Sequence, residues 1–440
     1  MSVDKNLFLY DLAVVAIMKN EAPYVKEWLD YHLLAGVNHF FIYDNESEDN
    51  LKELLQPYID ARLVTYKFFP GEMIQTPAYN AAINDFKFLC RYMAFIDADE
   101  FILPKSKPSI GEVLDEIFGY NRSIAGLAIN WQYYGSNGLK TADFSKGVLE
   151  RFTRRAPKKW AYMAKSFSDK YPAGHAICKV ILNPRKVKGM LGPHNALFYE
   201  KCFMINEMGR VLYIGNNFPV TVDKIAVNHY RAKTPEEYLI KIRRGNTDMG
   251  DQNFYNWDKW KNWDRNDEFD DSILKYRDSR IDEFNIRDGN ILKTLASCNQ
   301  INHAVILDAL LKNLSPTFAQ NVSPEFFKNK LETFLTCRAV VHYLTKFNFL
   351  DKTRGSVLEE AALNAIYKAV PADTQLYGLR LLISELPNIL PLNYPAVKNI
   401  LKACIDALKR LSNIYRRKRW FDKFADNENF LRLLKIFLNA

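Results

Sequence analysis

The sequence predicts an α/β domain built on a mostly parallel sheet, followed by an all-helical C-terminal domain. Apolar runs of strand length alternate with helical patterns through about the first hundred residues, and short polar clusters follow the apolar runs. This alternation is typical of a parallel sheet covered by helices. After about Asp288 the strand signals stop, and long amphipathic segments rich in Leu and Lys follow. We therefore expect one domain over residues 1–285 and a helical domain over residues 286–440.

The first strand and the first helix have the clearest signals. Leu12–Met18 reads LAVVAIM, an apolar run rich in β-branched residues that suits a strand buried on both faces. Pro23 favours the first turn of a helix, and Gly36 ends it. The remaining elements are a strand at His39–Asp44, a helix from Leu51 that Pro57 bends or ends, a strand at Val64–Phe69, a helix from Pro77 to Cys90 and a strand at Tyr92–Asp97.

Length, net charge and cysteine content indicate the size, the possible ligands and the location of the protein. At 440 residues the chain exceeds the usual size of one hydrophobic core, and its formal net charge of +9 suits phosphorylated small molecules, anionic lipid surfaces or nucleic acid. The six cysteines are scattered without zinc-ligand spacing, which indicates reduced thiols in a cytosolic protein. No apolar run approaches the roughly 20 residues that span a bilayer. We expect a cytoplasmic protein whose membrane contact, if any, is peripheral at the inner face of the cytoplasmic membrane.

Polar clusters follow three of the predicted strands. They are Lys19–Glu21, Asp44–Asn45 and Asp97–Glu100. Because ligands of parallel sheets bind beyond the carboxyl ends of the strands, these clusters predict a site at one rim, although a single cluster also suits a turn or a helix cap.

The Asp97-Ala98-Asp99 segment predicts a metal site. If the strand continues through it, side chains two residues apart project to the same side, so both carboxylates reach one cation. Hard oxygen ligands select Mg²⁺ or Mn²⁺, and a bound dication stabilises the charge that develops on a diphosphate leaving group. The alternative is a solvated exit from a strand.

The ordered motifs resemble a known group of enzymes. AIMKNEAPYVKEWLDYHLLAGVNHFFIYDNESEDN, QTPAYNAAI and RYMAFIDADEFILP are similar to family 2 and family 92 glycosyltransferases, which share the GT-A fold. The resemblance covers roughly residues 12–245. It implies a nucleotide-sugar donor, with a UDP-sugar as the first expectation. It also implies roles for six residues: Asn20, Glu21 and Asp44 at the base and ribose, Asn80 at the ribose or diphosphate, and Asp97 and Asp99 at the metal.

The string VNHYRAKTPEEY resembles an element near the end of many GT-A catalytic domains, where a histidine completes the metal site. The resemblance implies His229 as the third metal ligand, with Arg231 and Lys233 near the diphosphate. His194 is a competing candidate, and a hydrogen-bonded structural histidine is the alternative.

Acceptor binding is predicted in and near the segment NWQYYGSNG. Aromatic faces stack on sugar rings, and a glycine-bounded loop allows a substrate close to the backbone. The segment resembles the Trp…Phe-Gly-Ser-x-Gly pattern of family 92, although Leu139 stands where a His commonly follows. The candidate acceptor-binding residues are Trp131, Ser136, Asn137 and His194. An aromatic core followed by a turn is the alternative.

The two families are inverting, so the resemblance implies one displacement in which a carboxylate takes the proton of the acceptor hydroxyl as general base. The candidate bases are Asp143, Glu150 and Asp169. Glu150 is preferred because related chains carry a similar Glu-Arg-Phe.

The C-terminal part contains a basic amphipathic segment. Apolar residues from Val397 to Leu411 recur at helical spacing, and Arg416–Arg419 precede Trp420 and Phe421. This pattern suits contact with an anionic membrane, or a packed helix with a solvated basic face. No nucleic-acid-binding motif is recognisable.

The sequence therefore favours an inverting, Mn²⁺- or Mg²⁺-dependent glycosyltransferase that acts on a glycan or lipid-linked acceptor in the assembly of lipopolysaccharide or another cell-surface polysaccharide. A nucleotidyltransferase is an alternative, but it would carry a glycine-rich basic loop where MKNEAP stands. A non-catalytic glycan-binding protein on the same fold is the other alternative.

Overall fold

A computed structural model describes most of the chain. The described residues are 3–119, 121–163, 171–245, 254–277, 303–314, 324–369, 395–419, 427–428, 431–432 and 434. The chain forms two compact units, residues 10–300 and residues 1–9 with 301–440. The domain boundary predicted near residue 285 lies outside the described residues.

The strands of the larger unit form one extended sheet and several small pairs. In chain order they are β1 Tyr10–Met18, β2 His39–Asp44, β3 Val64–Phe68, β4 Cys90–Phe95, β5 Glu100–Pro104, β6 Ile124–Tyr133, β7 Arg154–Arg155, β8 Ala161–Met163, β9 Pro172–Gly174, β10 Cys178–Leu182, β11 Val187–Gly192, β12 Asn195–Phe198, β13 Phe203–Asn206, β14 Val211–Leu212, β15 Ile225–His229 and β16 Glu268–Phe269.

The extended sheet is mostly parallel in its N-terminal half. Its order is β14-β13-β6-β10-β4-β1-β2-β3, with β15 pairing with β5 and β6. The pairs of β1 with β2, β1 with β4 and β2 with β3 are parallel, whereas β10 lies antiparallel between β4 and β6. The predicted fold class, a mostly parallel α/β domain followed by a helical region, is confirmed.

Helices cover this sheet and make up the C-terminal region. They are α1 Ala22–Leu34, α2 Leu51–Asp60, α3 Gln75–Phe86, α4 Ile110–Gly119, α5 Val148–Arg151, α6 Pro235–Arg244, α7 Trp257–Trp263, α8 His303–Leu314, α9 Pro324–Lys346, α10 Lys352–Ala369 and α11 Pro395–Arg417. None of the helices in the described ranges is long and apolar enough to cross a membrane.

Helix α1 fixes the strand that follows the Asp-x-Asp segment. Pro23 lies in its first turn, and Gly36, at a φ of 104°, follows its end. Indole Nε1 of Trp28 donates a 2.8 Å hydrogen bond to the carbonyl of Glu100, and the Tyr31 hydroxyl donates one of 2.8 Å to the carbonyl of Ile102. Since both side chains are buried, these bonds hold β5 in place.

Two local predictions are wrong. Strand β4 ends at Phe95, so it does not continue through Asp97 and Asp99. Those residues lie in a turn that the Glu100 amide closes on the Asp97 carbonyl at 3.1 Å, and strand alternation therefore does not align their carboxylates. The helix predicted to run to Cys90 ends at Phe86, and Cys90 begins β4. Pro57, predicted to bend or end its helix, lies inside α2, which continues to Asp60.

Candidate active site

The turn Asp97-Ala98-Asp99 lies beyond the carboxyl end of β4, and its first carboxylate is fully engaged. Oδ1 of Asp97 accepts hydrogen bonds from Gln75 Nε2 at 2.8 Å and from the Tyr79 hydroxyl at 3.3 Å. Its Oδ2 accepts one from Lys179 Nζ at 2.8 Å. Helix α3 and strand β10 therefore orient Asp97 from two sides.

Lys179 is the buried counter-ion of the turn. Its side chain is 1% exposed, and its Nζ also lies 3.4 Å from Oε2 of Glu100. Burial would lower the pKa of Lys179, but Asp97 and Glu100 outweigh it and hold that pKa above its usual range. Burial raises the pKa of Glu100 well above its usual range. The charge of Lys179 opposes this rise, whereas the negative charges of Asp97 and Asp99 add to it. The lysine thus allows acidic groups to share a buried turn.

Asp99 faces a lysine and a histidine. Its Oδ2 pairs with Nζ of Lys241, and its Oδ1 lies 3.4 Å from Nε2 of His229. Burial would raise the pKa of Asp99, but the charges of Lys241 and His229 hold it well below its usual range. Burial lowers the pKa of His229 to about 4, against the opposing effect of Asp99. At neutral pH the pair is a carboxylate beside a neutral imidazole, the form of histidine that binds metals.

His229 is fixed by its strand and by aromatic packing. It ends β15, opposite Glu100 of β5 and Tyr133 of β6. The Trp131 ring centroid lies 4.6 Å from that of His229, and the Tyr133 centroid lies 5.2 Å away. Neither Nδ1 of His229 nor Oε1 of Glu100 has a hydrogen-bond partner among the described residues, and the two atoms are 3.8 Å apart.

Further cations surround the turn. The Arg231 guanidinium lies 3.8 Å from the Trp263 ring centroid, and Nζ of Lys233 lies 3.2 Å from that of Tyr24. In the described part of the chain neither cation forms a salt bridge. Burial lowers the pKa of Lys233, and the charge of Glu21 opposes that effect.

Helix α6 begins beside these cations and carries two more. Thr234 and Glu237 form a capping box at its start. In its last turn Arg244 pairs with the predicted donor-binding residue Glu21 and donates a 2.6 Å hydrogen bond to the Lys19 carbonyl. The helix thus presents Lys241 and Arg244 to the rim that carries the polar clusters.

The described residues offer a divalent cation two facing ligands, so water or substrate oxygens would complete its coordination. The described residues contain no group of three or more His, Cys, Asp and Glu side chains that would hold a metal. Oδ1 of Asp99 and Nε2 of His229 do face one another, whereas Asp97 is turned to Lys179. Mg²⁺ sites commonly keep several waters and take one or two carboxylates plus substrate phosphates, so Asp99 and His229 suit such an ion, with waters or a diphosphate as its remaining ligands.

The other predicted donor residues hold loops in place. Asp44 accepts hydrogen bonds from the Ser47 amide at 2.9 Å and from the Tyr66 hydroxyl at 2.7 Å. The Asn20 amide donates to Ser47 Oγ at 3.0 Å, so Asn20 and Asp44 meet at the same serine. Asn80 bonds the amide and the carbonyl of Met190 in the β11–β12 hairpin.

The predicted acceptor residues separate into two groups. Trp131 and His194 are packed together with ring centroids 5.1 Å apart, and Trp131 also contacts His229. Nδ1 of His194 is hydrogen-bonded to the Cys178 carbonyl at 2.8 Å, and burial lowers its pKa to about 3.

The second group anchors a loop. The Ser136 amide donates to Asp264 at 2.6 Å, and the Asn137 amide donates to Asn266 at 2.7 Å. Ser136 is buried, and these amide bonds attach the glycine-bounded loop to residues 264–266.

Two of the three candidate bases, Asp143 and Glu150, lie in the described part of the chain. Asp143 is in an exposed segment and accepts a hydrogen bond from the Ser145 amide at 3.1 Å. Glu150 lies on α5, whose first amides bond the carboxylate of Glu27. Asp169 lies outside the described residues. All three assignments stay predictions.

The family follows from comparison with known proteins. The family model for glycosyltransferase family 92 matches residues 15–283, more than half of the chain. The chain belongs to glycosyltransferase family 92. The part of the sequence that resembled this family is the part that carries the turn, His229 and α6.

Individual relatives match a shorter segment than the family model does. A family 92 protein of Ricinus communis is 26% identical over 147 residues, which are 33% of this chain and 26% of that protein. The galactan beta-1,4-galactosyltransferase GALS2 of Arabidopsis thaliana is 26% identical over 148 residues, 31% of this chain and 28% of that protein. The match thus spans about a quarter of the length of these curated relatives.

Among solved structures, S. aureus TarS 1-349 in complex with UDP-GlcNAc is similar at 12% identity and a TM-score of 0.31, over 93% of this chain and 92% of that chain. A likeness this low supports no conclusion about function.

Sequence reasoning missed several side chains around the turn of this family 92 member. Lys179 had a signal, because a lysine in the apolar strand CKVIL is almost never buried without a partner. Gln75, Tyr79 and Lys241 had none, since their helices bring them to the turn only through tertiary packing.

Proposed function

We propose that this family 92 protein is an inverting, metal-dependent glycosyltransferase that moves a sugar from a nucleoside-diphosphate sugar to a glycan or lipid-linked acceptor. The observation that carries the proposal is the convergence of Asp99, His229 and several cations beside one turn at the carboxyl rim of the sheet. Carboxylate and imidazole suit a cation, and the surrounding positive charges suit the diphosphate it would bridge.

The cations support an anionic ligand. Lys233 is buried, and its charge is balanced by the face of Tyr24 rather than by a salt bridge in the described residues. A buried cation without a full counter-ion is costly, and a diphosphate would offset that cost. Arg231, whose guanidinium lies over the Trp263 ring, adds a planar group that can bind phosphate oxygens in pairs.

The reaction divides between these groups. A bound Mn²⁺ or Mg²⁺ would stabilise the charge on the departing diphosphate. Arg231 and Lys233 would orient the diphosphate and add positive charge where its negative charge develops. Glu150 remains the first candidate for the general base that takes the proton of the acceptor hydroxyl. Asp143 and Asp169 are the other candidates.

The donor and pathway are narrower proposals. UDP is the nucleotide to test first. Because one relative is named a galactan galactosyltransferase, UDP-galactose and galactan oligosaccharides are the first donor and acceptor to test. Assembly of a cell-surface glycan such as lipopolysaccharide or capsule is the proposed context, with the protein in the cytoplasm and peripheral at the membrane.

A thermal-shift panel tests the proposal. Nucleoside diphosphates, nucleoside triphosphates and glycan oligosaccharides are added with and without Mn²⁺, and we expect UDP with Mn²⁺ to raise the melting temperature more than either alone. Preference for a nucleoside triphosphate would favour a nucleotidyltransferase. Stabilisation by glycans with no response to any nucleotide would favour a glycan-binding protein and refute the proposal.

A further inference from the structure

Two lysines neutralise the carboxylates of the turn, and their environments differ. Lys179 lies within β10, its side chain is 1% exposed, and it contacts both Asp97 and Glu100. Lys241 lies in the last turn of α6 with its side chain 13% exposed, and among the described residues it forms a salt bridge with Asp99 alone.

We propose that Lys241 is an exchangeable counter-ion, which occupies the side of Asp99 where a divalent cation would bind and moves to the diphosphate when a metal and a nucleotide arrive. The inference rests on the proposed function and deepens it. It assigns to Lys241 of α6 a role in donor binding, although no sequence motif identified that residue.

The place of Lys241 is the reason for exchange. A cation held between Oδ1 of Asp99 and Nε2 of His229 would lie close to the ammonium group on the other oxygen of the same carboxylate. Two positive charges on one carboxylate repel each other, so metal binding and the Lys241 pair compete. Without metal, the lysine prevents Asp99 from being a buried charge with no counter-ion.

The backbone of α6 need not move for this exchange. The capping box of Thr234 and Glu237 fixes the start of the helix, and the pair of Arg244 with Glu21 fixes its end. Between them, the four-carbon stem of Lys241 allows the ammonium group alone to change partner. Lys179 has no such freedom, because its departure would leave two carboxylates without a counter-ion.

The cations near Lys241 indicate that its new partner is the diphosphate. The charge of Lys241 acts on Lys233, and its ammonium group lies 5.4 Å from the Tyr255 ring centroid. Once freed from Asp99, it joins Arg231 and Lys233 as a third cation for the diphosphate, where lysine acts as a point charge.

Two titrations on full-length protein test the exchange. Calorimetry measures the Kd of Mn²⁺ without nucleotide, and then the Kd of UDP at saturating Mn²⁺, for wild type, Lys241→Met and Arg243→Met. Arg243 is the matched control, because it is an exposed cation on the same helix. In Lys241→Met we expect Mn²⁺ to bind about tenfold tighter and UDP about tenfold weaker, with both constants unchanged in Arg243→Met.

A labelling experiment on the wild type does not depend on a variant that folds. Reductive methylation followed by peptide mass spectrometry reports the reactivity of Lys241, with Lys179 as the buried internal reference. Mn²⁺ alone should raise labelling of Lys241, and Mn²⁺ with UDP should lower it again.

The outcomes separate the two proposals. Weaker UDP binding with unchanged Mn²⁺ binding in Lys241→Met, or labelling that neither addition alters, would overturn the exchange and leave Lys241 a fixed residue. Wild-type protein that binds no UDP at any Mn²⁺ concentration would instead overturn the proposed function.

Discussion

Nζ of Lys179 lies 2.8 Å from Oδ2 of Asp97, and it joins a strand of the sheet to the turn beyond a neighbouring strand. The same ammonium group lies 3.4 Å from Oε2 of Glu100. One buried cation therefore holds the first carboxylate of the Asp-x-Asp segment and the residue that follows it. The geometry of the turn depends on a residue outside the motif.

Lys179→Met is expected to destabilise the larger unit by about 3 kcal/mol, because it leaves Glu100 buried and Asp97 partly buried without their counter-ion. Urea unfolding gives the midpoint and the free energy of unfolding. Lys140→Met, at an exposed loop position, is the control and should change the free energy by less than about 0.5 kcal/mol. An equal effect of both substitutions would contradict the structural role of Lys179.

Asp99→Asn is expected to lower sugar transfer by at least about a hundredfold while the fold is retained, because the amide keeps the volume but loses the charge that binds the cation. Initial rates with a UDP-sugar and Mn²⁺ measure this, alongside circular dichroism. Activity equal to that of wild type would rule out a metal role for Asp99.

Acid should destabilise the protein through its buried histidines, of which His32 is the clearest. Its Nδ1 is hydrogen-bonded to the Trp28 carbonyl at 2.8 Å, its Nε2 accepts from the Ile102 amide at 3.3 Å, and burial lowers its pKa to about 3. Below about pH 6.5 the imidazole of His32 binds a proton in the unfolded chain but stays neutral in the folded chain. The free energy of unfolding therefore falls as the pH drops from about 6.5 toward 3.

The contribution of His32 to this slope is at most about 1.4 kcal/mol per pH unit. Urea unfolding of wild type and His32→Gln between pH 6.5 and 4 measures it. The variant should show the shallower slope, since it has lost one proton uptake. Parallel slopes would show that His32 does not bind a proton on unfolding.

The basic end of α11 allows a test of membrane contact. Leu408, Leu411 and Tyr415 are buried, whereas residues 416–419 are exposed. Trp420 and Phe421, the predicted aromatic contacts, lie outside the described residues. These three side chains therefore pack within the protein, and membrane binding by this end of the helix would depend on the exposed charges.

Changing Arg416, Arg417 and Lys418 to Gln should weaken sedimentation with anionic liposomes, by about 1 kcal/mol for each charge, and added salt should mimic the change. The control changes three exposed cations of the same helix, Lys402, Lys409 and Arg410. Unchanged liposome binding in the first variant would refute the membrane contact.

The sequence predicted the elements whose pattern is local. The run HFFIYD is β2 over the predicted residues, and all six are buried, as a short segment rich in aromatic and β-branched residues predicts. The turn at Asp97 was mistaken for a strand, because its closing hydrogen bond and the Glu100 side chain that accepts from the Asp97 amide carry no pattern in sequence.

Site residues could be predicted where a motif lies at the end of a strand. They could not be predicted where the contacting side chain is distant in sequence. Asp99 and His229 were identified from short strings, and the structure places them 3.4 Å apart. Lys241 comes to Asp99 from 142 positions along the chain, and no local spacing encodes such a contact.

The central claim is that Asp99 binds the cation that holds a nucleoside diphosphate. Calorimetry of UDP with wild type and Asp99→Asn, each with and without Mn²⁺, tests it most directly, with Asp258→Asn as a control because that carboxylate is 92% exposed. The account predicts that Mn²⁺ tightens UDP binding by about tenfold or more in wild type and in the control, and not in Asp99→Asn. UDP affinity that is independent of Mn²⁺ in wild type, or equally Mn²⁺-dependent in Asp99→Asn, would contradict it.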